Sequence, residues 1–248
     1  MSLAGKVFLV TGASKGIGKA VALRAAAEGA SVVINYLSDK TAADGVVSEI
    51  GSDRALAVQA DAGSLEGVDK LVAAAVDKFG KIDVVIPNAG WMPMGLLDNV
   101  SETNFDRIIN INVKGPLFLV QKAVPHMPTT GGGRVIFIST GLNTASGVAP
   151  AYLLYAMTKG AVDQLTRVLS KELAKKNITV NAVAPGPTAT DLFFDGKSEQ
   201  LVKMLEAQSP FNRLGKPEDI AEVILFVASE GSRWVSGQVI RANGANMV

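Results

Sequence analysis

Two groups of residues in this sequence have the types and spacing to do chemistry. Thr11, Gly12, Ala13, Ser14, Lys15, Gly16, Ile17 and Gly18 directly follow a short apolar run and open an alanine-rich stretch of helical length. A dinucleotide pyrophosphate must approach the backbone closely and meet the free N–H groups of a helix N-terminus, which glycines allow because they carry no Cβ. The strand-before, helix-after placement separates this loop from an ordinary glycine-rich turn. Far downstream stand Tyr155 and Lys159. Positions four apart share a helix face, so the Lys159 ammonium can lie near the Tyr155 phenol and favour its ionised form. A phenol that ordinarily titrates at about 10 would then exchange protons nearer neutral pH. Tyr152, one turn earlier, has Ala156 at its fourth following position and gains no cation; it either lines a substrate pocket or packs.

These residues need elements to position them. Short runs rich in apolar and β-branched residues recur at Lys6 to Val10, Ser31 to Tyr36, Ala55 to Val58, Ile82 to Pro87, Arg134 to Ser139, Thr179 to Val183 and Gln238 to Arg241. Between them lie helical stretches at Gly16 to Glu28, Thr41 to Ile50, Ser64 to Phe79, Glu102 to Ala123, Ala151 to Lys175 and Pro217 to Ala228. The alternation predicts an α/β fold: a doubly wound parallel sheet of about seven strands with helices on both faces. Ligands of such sheets sit beyond the strand C-termini. No internal repeat or long linker divides the chain, so residues 1–248 read as a single domain. Gly131 to Gly133 reads as a tight lead into a strand. Pro187 to Glu199, mixing Pro, Gly, Thr and paired phenylalanines without periodicity, is expected to be the mobile segment.

Composition narrows the partners. The chain of 248 residues is 48% hydrophobic with a formal charge of +1. That balance gives no broad basic or acidic field, so neither nucleic acid nor an anionic membrane is expected as partner, and a small molecule is. With no cysteine and His126 as the single histidine, disulfides, thiolate metal sites and histidine-rich metal sites are excluded. Redox chemistry must come from a borrowed cofactor. The apolar run Val7 to Val10 is too short for a signal-peptide core and no stretch reaches transmembrane length, so the expected location is cytoplasmic.

The TGxxxGxG spacing resembles the short-chain dehydrogenase/reductase family, and further matches follow in that family's order. They are Asp61, then Asn88, Ala89 and Gly90, then Asn112 within IxNVxG, then Tyr155 and Lys159 as YxxxK, then Pro185, Gly186, Thr188 and Thr190. The likeness runs from Lys6 to Asn243 and Gly244, nearly the whole chain. It implies a Rossmann fold and an NADP(H)-dependent oxidoreductase interconverting a carbonyl and an alcohol, of the kind found among carbonyl reductases. It also implies that Lys159 hydrogen-bonds the nicotinamide ribose and that Asn112 holds a water linking Lys159 to solvent. Where the family places a serine after the fifth strand to brace the substrate oxygen, this chain offers Ser139 and Thr140. Strand alternation sends the two to opposite faces unless the chain bends, and the column count favours Thr140. A homotetramer, or else a dimer, is the assembly the resemblance implies.

Members of that family that use NAD carry an acidic residue at the end of the second strand, where Asn35 and Tyr36 stand here. Lys15 can add positive charge, and Ser14 and Ser38 can donate to a 2′-phosphate, which favours NADP(H). By resemblance, Asp61 and Ala62 meet the adenine edge, Asn88 and Gly90 the adenosine ribose, and Thr188 the nicotinamide carboxamide. Trp91, Met92, Met94, Tyr152, Leu192, Phe193 and Phe194 border the expected active-site mouth, and core packing explains some of them equally well. The substrate could equally be a 3-oxoacyl thioester or a sugar, and a non-catalytic dinucleotide sensor is the reading outside enzymology.

Overall fold

In the computed structural model, which describes residues 2–130 and 132–247, the helical and extended stretches alternate from one end of the chain to the other. The order is β1 (Val7–Val10), α1 (Gly16–Ala27), β2 (Ser31–Tyr36), α2 (Lys40–Ile50), β3 (Ala55–Gln59), α3 (Leu65–Phe79) and β4 (Val84–Ile86). It continues through α4 (Glu102–Ile109), α5 (Gly115–Ala123), β5 (Gly133–Ile138), α6 (Leu153–Leu173) and β6 (Ile178–Pro185). The chain then passes through α7 (Asp191–Phe194), α8 (Glu199–Gln208), α9 (Pro217–Ala228) and β7 (Val239–Ala242). All seven strands pair in parallel, in the order β3-β2-β1-β4-β5-β6-β7.

Strand alternation divides the core into two layers. Phe8 and Val10 of β1, Val32 and Ile34 of β2 and Ile136 and Ile138 of β5 face one cluster, built with α1, α2 and α9. Leu9, Val33, Val135 and Phe137 face the other, built with α3, α5 and α6. Successive strands from β1 proceed outward to β3; the chain then returns and adds β4 on the other side of β1. The loops after β1 and β4 therefore leave the sheet in opposite directions, and a crevice opens between them.

Local chemistry sets the helix ends. Side chains of Asp39, Ser64, Ser101, Thr190 and Ser198 cap α2, α3, α4, α7 and α8, and Pro217 opens α9 at a position where no N–H is needed. The expected single helix Glu102 to Ala123 is broken by a π-helical turn at Asn110–Lys114. The helix α8 was not expected, although Ser198 and the spacing of Leu201, Val202 and Leu205 carry its signal. Pro187 to Glu199 contains the short helix α7, and β5 begins at Gly133. Of the expected lead-in Gly131 to Gly133, Gly131 lies outside the described residues, while Gly132 takes φ +70. Among the described residues no helix is long and apolar enough to cross a membrane, and no cluster of three or more histidine or acidic side chains could hold a metal ion.

Candidate active site

At the switch point, the loop after β1 bends so that Gly12 and Gly16 take φ +61 and +56, a region that only glycine enters without strain. A Cβ on Gly18 would stand 2.5 Å from the Gly12 carbonyl oxygen and 2.7 Å from Asn88 Nδ2, so α1 can draw close to the strand ends only with glycine there. Lys15 occupies the N-cap of α1 without capping it, which leaves the first amides of that helix free of any side-chain acceptor. They form one wall of a cleft of about 1060 Å³. Bare amides at a positive helix end, with no Cβ in the way, fit a pyrophosphate.

Most of the expected binding residues line this cleft. Gly12, Ser14, Lys15, Gly16 and Ile17 come from the glycine loop, and Asn35, Tyr36 and Ser38 from the end of β2. Asp61 and Ala62 follow β3, Asn88, Ala89 and Gly90 follow β4, and Thr190 caps α7 from across the opening. Gly18 sits behind the wall as a packing contact. Pro185 closes β6, while Gly186 and Thr188 line a separate cavity of about 340 Å³. There the Thr188 hydroxyl donates to the Gly186 carbonyl at 2.9 Å. Residues of α4 and the π turn, Arg107, Asn110, Ile111 and Lys114 among them, also line the cleft. Sequence reasoning missed them because nothing local marks that face of the helix as a wall.

Three polar side chains expected at the cofactor are committed to the protein instead. Asn35 is buried; its Oδ1 accepts from the Gly12 amide at 3.1 Å and its Nδ2 donates to the Ala60 carbonyl at 2.9 Å. It pins the glycine loop and is not a free partner for a ribose. Asn88 Nδ2 donates to the carbonyls of Thr11 and Gly12, and the amides of Asn88 and Ala89 both donate to Thr11 Oγ1 at 2.9 Å. Thr11 thereby ties the two halves of the sheet together. Lys15 turns its ammonium to Asp191, 3.3 Å away, in an exposed pair of the kind that contributes little and is easily exchanged.

Tyr155 and Lys159 start α6 beside the end of β5. Lys159 is buried, its Nζ donating to the Ile138 carbonyl at 2.7 Å and lying 5.6 Å from the centre of the Tyr155 ring. Burial pulls Lys159 down to about 8, while the Asp163 carboxylate lifts it. Burial also pushes the Tyr155 phenol up to about 12, partly opposed by the Thr140 side chain and reinforced by Tyr152. The expectation of a phenol titrating closer to neutrality is therefore corrected. Desolvation is the largest influence on the phenol, and the Lys159 ammonium lies 5.6 Å from the ring centre.

Ser139 and Thr140 part company at the end of β5. Ser139 Oγ donates to Asp163 Oδ1 at 2.5 Å, and Asn143 Nδ2 donates to Asp163 Oδ2 at 2.6 Å. Thr140, beyond the last sheet residue, accepts from the Leu142 amide at 3.3 Å and lies close enough to the Tyr155 phenol to favour its ionised form. Asp163, which sequence reasoning passed over, thus anchors the strand end so that Thr140 meets Tyr155. Its signal was its place one turn beyond Lys159 on the same helix face.

Asn112 lies in the π turn, 1% exposed. Its Oδ1 accepts from the Trp91 amide at 2.9 Å, and its Nδ2 donates to the Trp91 carbonyl at 2.9 Å and to Thr158 Oγ1 at 3.0 Å. The side chain thus clips the loop after β4 to α6. Arg107 stacks 4.3 Å from the centre of the Trp91 ring and holds the same loop from outside.

A glycine cradle at the switch point of a parallel sheet, with a tyrosine and a lysine on the neighbouring helix, defines a class: the dinucleotide-dependent oxidoreductases. A family model described as enoyl-(acyl carrier protein) reductase matches residues 12–244. Versicolorin reductase of Emericella nidulans is 41% identical, over 98% of this chain and 96% of its own. A hydroxynaphthalene reductase-like protein of Metarhizium guizhouense is 40% identical, over 99% of this chain and 96% of its own. The crystal structure of the angucycline C-6 ketoreductase LanV with bound NADP superposes with a TM-score of 0.91 at 38% identity, covering 99% of this chain and 97% of that one. The chain belongs to the short-chain dehydrogenase/reductase family.

Two outcomes test this geometry. Gly18→Ala forces a methyl group against the Gly12 carbonyl and should cost about 1–3 kcal/mol of stability, seen as a lower melting temperature. An unchanged melting curve would mean that α1 does not approach so closely. Asp163→Asn removes the negative charge that lifts Lys159, so Lys159 should titrate below its value of about 8, read by NMR of labelled lysine. Ser139→Ala, which keeps that charge, should move it far less; equal shifts in both variants would reduce Asp163 to a structural clamp.

Proposed function

We propose that this chain is an NADP(H)-dependent oxidoreductase that interconverts a ketone or aldehyde and its alcohol, working as one domain over residues 1–248. The observation that carries the reading is the meeting of Thr140 with the Tyr155 phenol, over whose ring the buried Lys159 ammonium lies. When bound, NADPH supplies the hydride that reduces the carbonyl carbon. Tyr155, fully protonated well above neutral pH, donates its proton to the carbonyl oxygen. Thr140 braces that oxygen, and Lys159, held by Ile138, keeps a positive charge beside the phenolate as it forms. Asn112 fixes the loop and helix that enclose them, and the role of holding a water that links Lys159 to solvent is assigned to it as well.

The cleft supports the cofactor assignment. Gly12, Gly16 and Ile17 offer the bare backbone a pyrophosphate requires, and Gly90 lies on the cleft wall beside Asn112 and Lys159. Asn35 and Tyr36 end β2 without a carboxylate, which leaves a 2′-phosphate unopposed, and Ser14, Lys15 and Ser38 stand on the same walls. Asp39, the next acid along, also lines the cleft, and its Oδ1 is engaged in capping α2 through the Ala42 amide. Asp61 and Ala62 would meet the adenine and Thr190 the nicotinamide side, whereas Thr188 faces the separate cavity with its hydroxyl bonded to Gly186. The bound NADP of the angucycline ketoreductase supports the same choice.

The relatives named for versicolorin, hydroxynaphthalene and angucycline point to an aromatic ketone as substrate. Trp91 and Leu192 supply apolar surface to the cleft, and Phe193 and Phe194 follow Leu192 in α7. The reaction is placed in the cytoplasm, the location expected from the sequence. Phe105 of α4 and Leu153, Met157 and Val168 of α6 are exposed apolar side chains, and they support a homotetramer built on those helices.

Tyr155→Phe should lower kcat for ketone reduction at least about 100-fold and leave the NADPH dissociation constant within a few-fold, measured by nucleotide fluorescence. Near-normal turnover in that variant would remove Tyr155 from the chemistry. A panel of aromatic ketones, 3-oxoacyl thioesters and sugars, run with NADPH and NADH, should give the highest kcat/KM for the ketones with NADPH. Light scattering should report a tetramer, and a monomer at micromolar concentration would discard the proposed assembly.

A further inference from the structure

Lys197 lies between α7 and α8, one residue before the Ser198 cap. Its Nζ is shut off from solvent and has no hydrogen-bond partner among the described residues. The ammonium stands 4.8 Å from the centre of the Phe193 ring and 5.9 Å from that of Tyr152. Aromatic faces attract a cation, but they do not replace the oxygen atoms that water supplied before burial. Burial works against its charged form, and Asp195 favours that form through space without pairing with it. Here, then, is an ammonium closed off by aromatic rings and still short of acceptors.

Its position gives this shortage a use. Tyr152 precedes Tyr155 by nearly one turn of α6 and lies near enough to influence its ionisation. Phe193 belongs to α7, whose neighbouring residues Thr190, Asp191 and Leu192 form a wall of the cleft. Of the other cations of the site, Lys159 holds the Ile138 carbonyl, Lys15 faces Asp191 and Arg107 stacks on Trp91, while Lys114 lines the cleft from the π turn. Lys197 differs from them in that its Nζ is buried without a hydrogen-bond partner among the described residues, beside Phe193 and Tyr152.

We propose that Lys197 selects a substrate bearing an anionic oxygen, a carboxylate or an ionised phenol, on an aromatic ring held against Phe193 and Tyr152. The assignment rests on the reductase reading for its substrate class. A charge-assisted hydrogen bond to that oxygen gives the ammonium its missing acceptor, in a site where low polarity strengthens the bond. The ring packs edge or face against the two aromatic side chains. A neutral analogue of the same shape gains the packing and leaves the cation unmatched.

The test is calorimetric binding to the NADPH-loaded protein at neutral pH. One pair of probes is 2-naphthoate and its methyl ester; the other is 4-nitro-1-naphthol, ionised at that pH, and its methyl ether. The wild type should bind at least one anion about ten-fold or more tightly than its neutral partner, and the pair that shows it identifies the oxygen. Lys197→Met should erase the preference and leave the neutral probes within about three-fold, while Lys197→Arg, also charged, should retain part of it. No preference in the wild type, no binding of either pair, or equal losses for anion and neutral probe in a folded Lys197→Met protein would overturn the proposal. Tyr155→Phe should keep the preference. A protein that selects the anion and reduces no ketone would leave Lys197 assigned and the reductase reading refuted.

Discussion

A lysine ammonium buried against the end of a parallel sheet is the constraint to which the rest of this site answers. Lys159 has left water, and it is tolerable there because Ile138 offers a carbonyl at 2.7 Å and Asp163 a carboxylate one turn along the same helix. Both supports also shape the chain around them. Ile138 is the last residue of β5, and Asp163 grips Ser139 and Asn143 just past it. The strand end is thereby held at the height where Thr140 reaches Tyr155. The charge is thus placed by the same bonds that place the hydroxyl groups.

On the other side of the switch point, backbone carries the burden. The glycine loop has few side chains of its own with which to hold shape, so its neighbours hold it. Asn35 bonds the Gly12 amide, Asn88 bonds the carbonyls of Thr11 and Gly12, and Thr11 receives the amides of Asn88 and Ala89. The loop is stitched to β2 and β4 through polar atoms facing inward, which keeps its outer face clear. Asn112 does the same for the loop after β4, fastening Trp91 to α6 through Thr158. Conserving geometry by polar stitches is more demanding than apolar packing, because each group left unbonded in these places would be costly.

Two residues show how burial redirects chemistry expected from residue type. A lysine four positions from a tyrosine suggests a phenol ready to ionise, yet Tyr155 is driven up to about 12 and Lys159 down to about 8. In this environment, the proton is held firmly on the phenol, which suits an acid, and the lysine charge becomes sensitive to its surroundings. Lys197 carries the same lesson between α7 and α8: its ammonium lies beside two aromatic rings with no hydrogen-bond partner among the described residues.

The alternation of seven apolar runs with helical stretches was enough to determine the parallel doubly wound sheet, because strand and helix periodicities are local properties of side-chain order. The glycine loop and the Tyr155–Lys159 spacing were legible for the same reason: each lies within one turn or one loop. What the sequence could not contain were relations between distant segments. The engagement of Asn35 with Gly12, the division of Ser139 and Thr140 between Asp163 and Tyr155, and the π turn that inserts Asn112 beneath Trp91 all join residues far apart in the chain. Desolvation is likewise set by whatever else folds over a group, so the titration of Tyr155 and Lys159 was decided only when the strand ends, α6 and their loops packed together.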